Sequence, residues 1–280
     1  MAALCAIAGG CADNAKSRRG GKPAIYTSFY AMYRFTLSIA GDKADVTNLV
    51  PPGSEPHDWE PTTKDMASLS GADLFIYNGA GMEGFIDNLK QNLSGVTFVD
   101  ASAGIPVISA TQPHIWLDPA LAKQQLQTIA AAVEATDPAN KTYYENNLNT
   151  LEAKLDALDA EYARAARAFA RRDIVVAHNA YAYLCKRYNI NMIALDENGG
   201  GQEPSPAFMA RTVDYMRQNG INYVFKDELD SPKVVDTIAN ETGAHVLTLY
   251  TFEGAPQGGQ PADYFACMEK NLAALKTALD

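Results

Sequence analysis

Histidine is scarce in this chain, with four among 280 residues, and cysteine is no more common at four. Tryptophan is held to two, and basic side chains are outnumbered by acidic ones, 23 to 33. Each shortage excludes something. The formal charge of −10 leaves no basic footprint with which to release counterions, so nucleic acid is not an expected partner, whereas a cation or a protein with a positive face is compatible. No CxxC pair or zinc-finger Cys/His spacing occurs, which argues against thiolate ligation of metal. HExxH, a GxSxG elbow and a phosphate-cradling glycine loop are all missing, and Gly199-Gly200-Gly201 reads as a turn. After the first residues, no run is long and apolar enough to span a bilayer.

What is present is a folded, soluble composition, 47% hydrophobic and 20% charged. The length exceeds one ordinary hydrophobic core and implies two domains or lobes. The start, Met1 to Cys11, is a short apolar run of small residues followed by the polar stretch Ala12 to Pro23. It reads as the end of a secretion signal without its basic region. Ala8-Gly9-Gly10-Cys11 resembles a bacterial lipoprotein box, which implies cleavage before Cys11 and a lipid anchor on it. Residues 1–22 are therefore expected to be leader and linker. Cys185 sits on a helical face, Tyr181-x-x-Leu184-Cys185-x-x-Tyr188, and is expected to be a buried thiol; a pairing with Cys267 stays open at this level.

Short β-branched or aromatic runs alternate with helical patterns. Ala24–Phe29, Val46–Val50, Asp73–Tyr77 and Val96–Val99 form one group, and Ile174–Ala177, Met192–Leu195, Tyr223–Phe225 and Val246–Leu249 a second. The expected fold class is α/β: two lobes, each a parallel sheet of about four strands flanked by helices. From about Lys141 to Arg171, apolar residues fall at Tyr144, Leu148, Leu151, Leu155, Leu158, Tyr162, Ala165 and Phe169, in steps of four and three without glycine or proline. About thirty residues at 1.5 Å each make a rod of roughly 45 Å, a rigid spine across both lobes. The expected division is 23–136 for the first lobe, 137–172 for the spine and 173–280 for the second lobe.

Three of the four histidines stand at turns or strand ends: Pro56-His57-Asp58-Trp59-Glu60-Pro61, Pro113-His114-Ile115-Trp116-Leu117-Asp118-Pro119 and Ala177-His178-Asn179-Ala180-Tyr181. Imidazole is the commonest transition-metal ligand, and the carboxyl ends of strands are where open α/β sheets bind ligands. His57, His114 and His178 converging on one point would make a zinc-type site. His245 begins a strand, at the wrong end, and reads as a surface histidine. A closed zinc site takes four ligands. Glu253, after the strand Val246–Leu249, is the best-placed fourth, with Asp227, Glu228, Asp196 and Glu197 as alternatives at other strand ends.

These motifs, in order, carry a resemblance. Pro52-Gly53-x-x-Pro56-His57-x-Trp59-Glu60-Pro61, Pro113 to Pro119, His178 to Leu184, Glu203-Pro204-Ser205-Pro206 and Asp263-Tyr264-Phe265-x-x-Met268-x-x-Asn271-Leu272 are similar to those of the metal-binding lipoproteins that serve bacterial ABC importers of zinc and manganese. The likeness runs from about Lys22 to Asp280. It implies two α/β lobes bridged by one rigid helix with the metal between them, His57 and His114 as first-lobe ligands, and His178 and Glu253 as second-lobe ligands. Manganese-preferring relatives typically carry glutamate at the position of His178 and aspartate as the last ligand, so histidine here implies Zn2+, with Mn2+ as the alternative. The histidine-rich loop of some zinc-binding relatives has no counterpart in Ser102 to Gln112, and Tyr250 stands where many relatives have aspartate or asparagine. The implied role is an extracytoplasmic monomer, lipid-anchored at the membrane or periplasmic, that delivers metal to an ABC transporter membrane permease without catalysis. Two other readings remain: a secreted zinc hydrolase with Glu253 or Glu60 as general base, and an adhesin whose metal stabilises the fold.

Overall fold

Among the described residues of the computed structural model of the chain, eight short strands, each preceded or followed by a helix, pair in parallel. It describes residues 21–109, 112–196, 204–228, 231–255 and 262–280. The lipoprotein-box cysteine Cys11, the glycine run 199–201, Glu197 and Glu203 lie outside the described residues. In the first sheet, β1 (Ala24–Thr27), β2 (Asp45–Asn48), β3 (Leu74–Tyr77) and β4 (Thr97–Asp100) lie in the order β2-β1-β3-β4. In the second, β5 (Asp173–Val176), β6 (Asn191–Ala194), β7 (Tyr223–Asp227) and β8 (His245–Leu249) repeat that order as β6-β5-β7-β8. Covered on both faces, β3 is buried at every position, whereas the edge strand β2 alternates between exposed and half-buried residues. All eight strands fall within or overlap the apolar runs seen in the sequence.

Helices α1 (Tyr30–Ala40), α2 (Thr63–Leu69), α3 (Ile86–Asn92) and α4 (Pro119–Thr136) accompany the first sheet, and α6 (Ala182–Tyr188), α7 (Pro206–Asn219), α8 (Lys233–Thr242) and α9 (Tyr264–Leu279) the second. Between them, α5 (Lys141–Ala168) is the spine. Its 28 residues make a rod of about 42 Å, packed on α1 and α4 on one side and on α6 and α9 on the other. It is three residues shorter than the periodicity implies. Phe169 turns to extended backbone and stays buried, and the Arg171 N–H is taken by the Leu279 carbonyl at the end of α9, so the chain leaves the helix for β5. No helix of the described residues is long and apolar enough to cross a membrane.

One hydrophobic core is shared by both lobes and the spine. Leu155, Leu158 and Tyr162 of α5 are buried in it, and the Tyr162 hydroxyl donates to the Met268 carbonyl. Arg187 of α6 grips Asp159 of α5 through two hydrogen bonds of 2.7 and 2.8 Å and lies 3.5 Å from Asp118, which caps α4. Cys185 and Cys267 are buried and not disulfide-bonded, and burial pushes the Cys185 thiol up to about 12, which keeps it protonated. Cutting Leu155, 1% exposed, to alanine leaves a cavity in the shared core. We expect Leu155→Ala to lower unfolding free energy by about 2–5 kcal/mol in a urea titration; a loss below about 1 kcal/mol would mean the spine is not part of that core.

Candidate metal centre

Four loops leave the carboxyl ends of four strands and meet in the cleft between the sheets. The first follows β2. The Leu49 and Val50 N–H groups donate to Thr27 and Ser28 carbonyls, extending the sheet pairing. Pro51, Pro52 and Gly53, the last at φ +79°, then turn the chain. Pro56 is buried, Trp59 packs edge-on against Phe85 at 5.4 Å, and Thr62 closes a capping box with Asp65 at the start of α2. His57 is held between these anchors.

His114 rests on a buried polar network at the end of β3. The Glu83 carboxylate accepts the Asn78 and Gly79 N–H groups, the Asn78 amide donates to the Pro113 carbonyl at 2.9 Å, and Gln125 of α4 donates to Asn78. Gly79, at φ +78°, admits no side chain, since a Cβ there would collide with the Asp100 carboxylate. After His114 the chain makes one 3-10 turn, Ile115–Leu117, and Asp118 caps α4 by accepting the Ala120 and Leu121 N–H groups.

His178 comes two residues after β5, at the start of the second lobe. Its Nδ1 lies 3.8 Å from Asp227 Oδ2 at the end of β7, and the Tyr181 hydroxyl donates to Asp227 Oδ1. A carboxylate behind a histidine ring is a common means of fixing its orientation. Glu253 follows β8 by four residues and is 2% exposed.

The structure thus brings together His57, His114, His178 and Glu253, whose ligand-type atoms all lie within 4.8 Å of one another. His114 Nε2 is 3.2 Å from His57 Nε2, 3.0 Å from His178 Nε2 and 2.8 Å from Glu253 Oε1. That oxygen is 3.6 Å from His57 Nε2 and 3.9 Å from His178 Nε2. A tetrahedral zinc ion with bonds of roughly 2.0–2.1 Å sets its ligand atoms about 3.3–3.4 Å apart; the observed separations lie on both sides of that edge. Nitrogen lone pairs and a carboxylate facing one another in a buried space need a cation or protons among them.

The charge balance is lopsided. Burial pulls His114 down to about 4, against the attraction of Glu253. Burial also works to lower His57, but Glu253, Glu55 and Asp58 outweigh it and its pKa is raised. For Glu253, burial favours the neutral acid, yet the surrounding imidazoles of His178, His114 and His57 hold it well below the usual carboxylate range. The metal-free site therefore presents an ionised carboxylate at neutral pH.

The other acidic candidates serve differently. Asp227 stands behind His178, and Glu228 accepts the Thr251 and Phe252 N–H groups at 2.9 and 3.0 Å; neither, nor Asp196, belongs to the converging group. Glu60 is exposed, and His245 is exposed at the start of β8 beside Tyr223. Local spacing did not disclose two cross-lobe contacts of Trp116. Its indole N–H donates to the Thr251 carbonyl at 2.7 Å, and its own carbonyl accepts the Tyr264 hydroxyl at 2.7 Å. The paired tryptophan and tyrosine stand 148 residues apart, and only the fold joins them.

A parallel two-sheet protein, spanned by one long helix and holding three histidines and a glutamate in its cleft, is the architecture of a bilobal metal-ion receptor. The chain belongs to the family described as zinc-uptake complex component A, periplasmic (ZnuA), whose model matches residues 25–278. It is 36% identical over 283 residues to the high-affinity zinc uptake system protein ZnuA of Bacillus subtilis (strain 168), covering 93% of this chain and 89% of that protein. The zinc-binding lipoprotein AdcA of Streptococcus pneumoniae serotype 4 is 30% identical, and the chain spans 60% of its length. The crystal structure of the Zn(II)-bound ZnuA-like domain of Streptococcus pneumoniae AdcA superposes with a TM-score of 0.83 at 32% identity, covering 93% of this chain and all of that one. The laminin binding protein Lmb of Streptococcus agalactiae, titled a bifunctional protein with adhesin and metal transporting activity, superposes at 0.85 with 30% identity, covering 92% of this chain and all of that one.

The two imidazoles His57 and His114 are expected to titrate on opposite sides of 6.5 in the metal-free protein. His114 accepts a proton more readily in the unfolded chain, so its contribution to stability is complete above 6.5 and lost as pH falls towards about 4. His57 has the opposite sign, contributing fully below 6.5 and losing that contribution as pH rises through its raised value. NMR titration of the ring nitrogens measures both; a His114 midpoint at or above 6.5 would contradict this ordering.

Proposed function

We propose that this protein is an extracytoplasmic zinc receptor that captures Zn2+ through His57, His114, His178 and Glu253 and delivers it to an ABC import permease. The observation that carries the reading is the convergence of three Nε2 atoms and one carboxylate oxygen, contributed by both lobes, in a largely buried space. Zinc is the cargo. Three imidazoles and a carboxylate favour it over Mn2+, which prefers more oxygen donors and higher coordination. Family membership and zinc-binding relatives support the same ion.

The protein acts by binding and release, without a covalent step. Four protein ligands fill a tetrahedral shell and leave no position for an activated water, the requirement of a hydrolytic zinc centre. Glu253 is a ligand here and Glu60 is exposed, so neither is placed as a general base. The division into a first lobe (23–136), spine (137–172) and second lobe (173–280) fits such a role, as does a monomer anchored through a lipid on Cys11. The anchor rests on sequence alone. The permease is the partner that takes the ion.

Loss of one of four ligands removes roughly a quarter of a zinc-binding free energy on the order of 10–16 kcal/mol, which corresponds to about 100-fold or more in affinity. Competitive chelator titration of His178→Ala and Glu253→Ala tests this, with metal-free protein remaining folded by circular dichroism because the shared core does not need the ion. Affinity of the parent protein is expected to fall between pH 7.5 and 5.5 as protons enter at His57. Unchanged affinity in the His178 variant would overturn the ligand set; an unchanged Glu253 variant would displace only the fourth ligand.

A further inference from the structure

The residue before the carboxylate ligand has an uncommon backbone. Phe252 sits at φ +61°, in the left-handed region, although it is a large aromatic side chain and only 2% exposed. Such a conformation persists where the surroundings over-determine it, and it clusters at functional sites. Its ring lies between Tyr30 and Tyr264, at 5.1 and 5.4 Å.

The backbone restraints are more telling. The Thr251 N–H and the Phe252 N–H both donate to the Glu228 carboxylate, to Oε2 at 2.9 Å and Oε1 at 3.0 Å, and the Thr251 hydroxyl reaches Oε1 at 3.3 Å. The Thr251 carbonyl accepts the Trp116 indole N–H, and the Glu253 carbonyl accepts the Tyr30 N–H at 3.3 Å. Glu228 directly follows β7, whose neighbour β8 leads into this loop. The two bonds to Glu228 fix the peptide plane that enters Phe252, and the Tyr30 N–H fixes the Glu253 carbonyl beyond it; between these two fixed points Phe252 takes its left-handed turn and Glu253 joins the three histidines.

We propose that Glu228 is the positioning residue for Glu253: by gripping the Thr251 and Phe252 N–H groups it anchors the peptide plane from which the chain turns through Phe252 and presents the Glu253 carboxylate to the metal. Glu228 itself does not touch the ion. The proposal rests on the reading of Glu253 as a zinc ligand. Asp227, the neighbour of Glu228, lies 3.8 Å from His178 Nδ1.

A double-mutant cycle tests it. Zinc affinity is measured by chelator competition for the parent, Glu228→Ala, Glu228→Gln, Glu253→Ala and the Glu228→Ala/Glu253→Ala double variant, with Co2+ absorption spectra of each. Glu228→Ala is expected to weaken binding by about 10- to 100-fold and to move the Co2+ spectrum towards that of Glu253→Ala. Glu228→Gln keeps one acceptor oxygen and recovers part of the loss. In the Glu253→Ala background the same Glu228→Ala change should cost less than about threefold, because the group through which it acts is gone. Parent-like affinity in Glu228→Ala, or an equal loss in both backgrounds, would overturn the positioning role while leaving the ligand set intact. A parent-like Glu253→Ala would instead remove the ligand assignment, and the positioning role with it. If Glu228→Ala does not fold, the cycle run with Glu228→Gln is read by the same criteria.

Discussion

Trp116 joins the two lobes beside the converging histidines through both its side chain and its backbone. Its indole N–H holds the Thr251 carbonyl, two residues before Glu253, and its own carbonyl holds the Tyr264 hydroxyl at the start of α9. His114 lies two residues upstream. One buried residue therefore ties the turn that carries His114 to the loop that carries Glu253, within an aromatic seam of Phe29, Tyr30, Phe35, Phe252 and Tyr264. Buried hydrogen bonds of this kind cost more to break than to leave unbuilt, since the orphaned carbonyl would remain in a dry core. The spine adds a second constraint, because α5 packs on helices of both lobes and Arg187 joins Asp159 and Asp118 across them.

Preorganisation of this kind explains how the centre can favour a doubly charged cation. Holding four side chains in one buried arrangement costs conformational entropy, and burial disfavours the protonated form of His114 while Glu253 is held ionised. The shared core and the seam bear that cost during folding. A cation entering the cage then gains the full attraction of the carboxylate in a low-dielectric site without first organising its ligands.

Much of this was legible in the sequence because it depended on local chemistry. The eight strands followed from short β-branched runs, the spine from unbroken steps of four and three, and His57, His114 and His178 from their positions after strands. The end of α5 was misjudged because its apolar period continues through Phe169; what stops the helix is the hydrogen bond from Arg171 to Leu279, contributed by the far end of the chain. Glu228 stood in the sequence as an alternative ligand, since a carboxylate after a strand fits that role. Its actual partners are two backbone N–H groups in a loop whose left-handed turn falls on phenylalanine rather than glycine, so no residue type announces it. Trp116 stands in the motif of His114, but nothing local discloses its reach to Thr251.

Zinc K-edge X-ray absorption on the zinc-loaded protein tests the closed cage most directly. The account predicts a first shell of four nitrogen or oxygen atoms at about 2.0 Å, with the outer-shell scattering of three imidazole rings. A five- or six-atom shell including solvent, or scattering from fewer than three imidazoles, would contradict it.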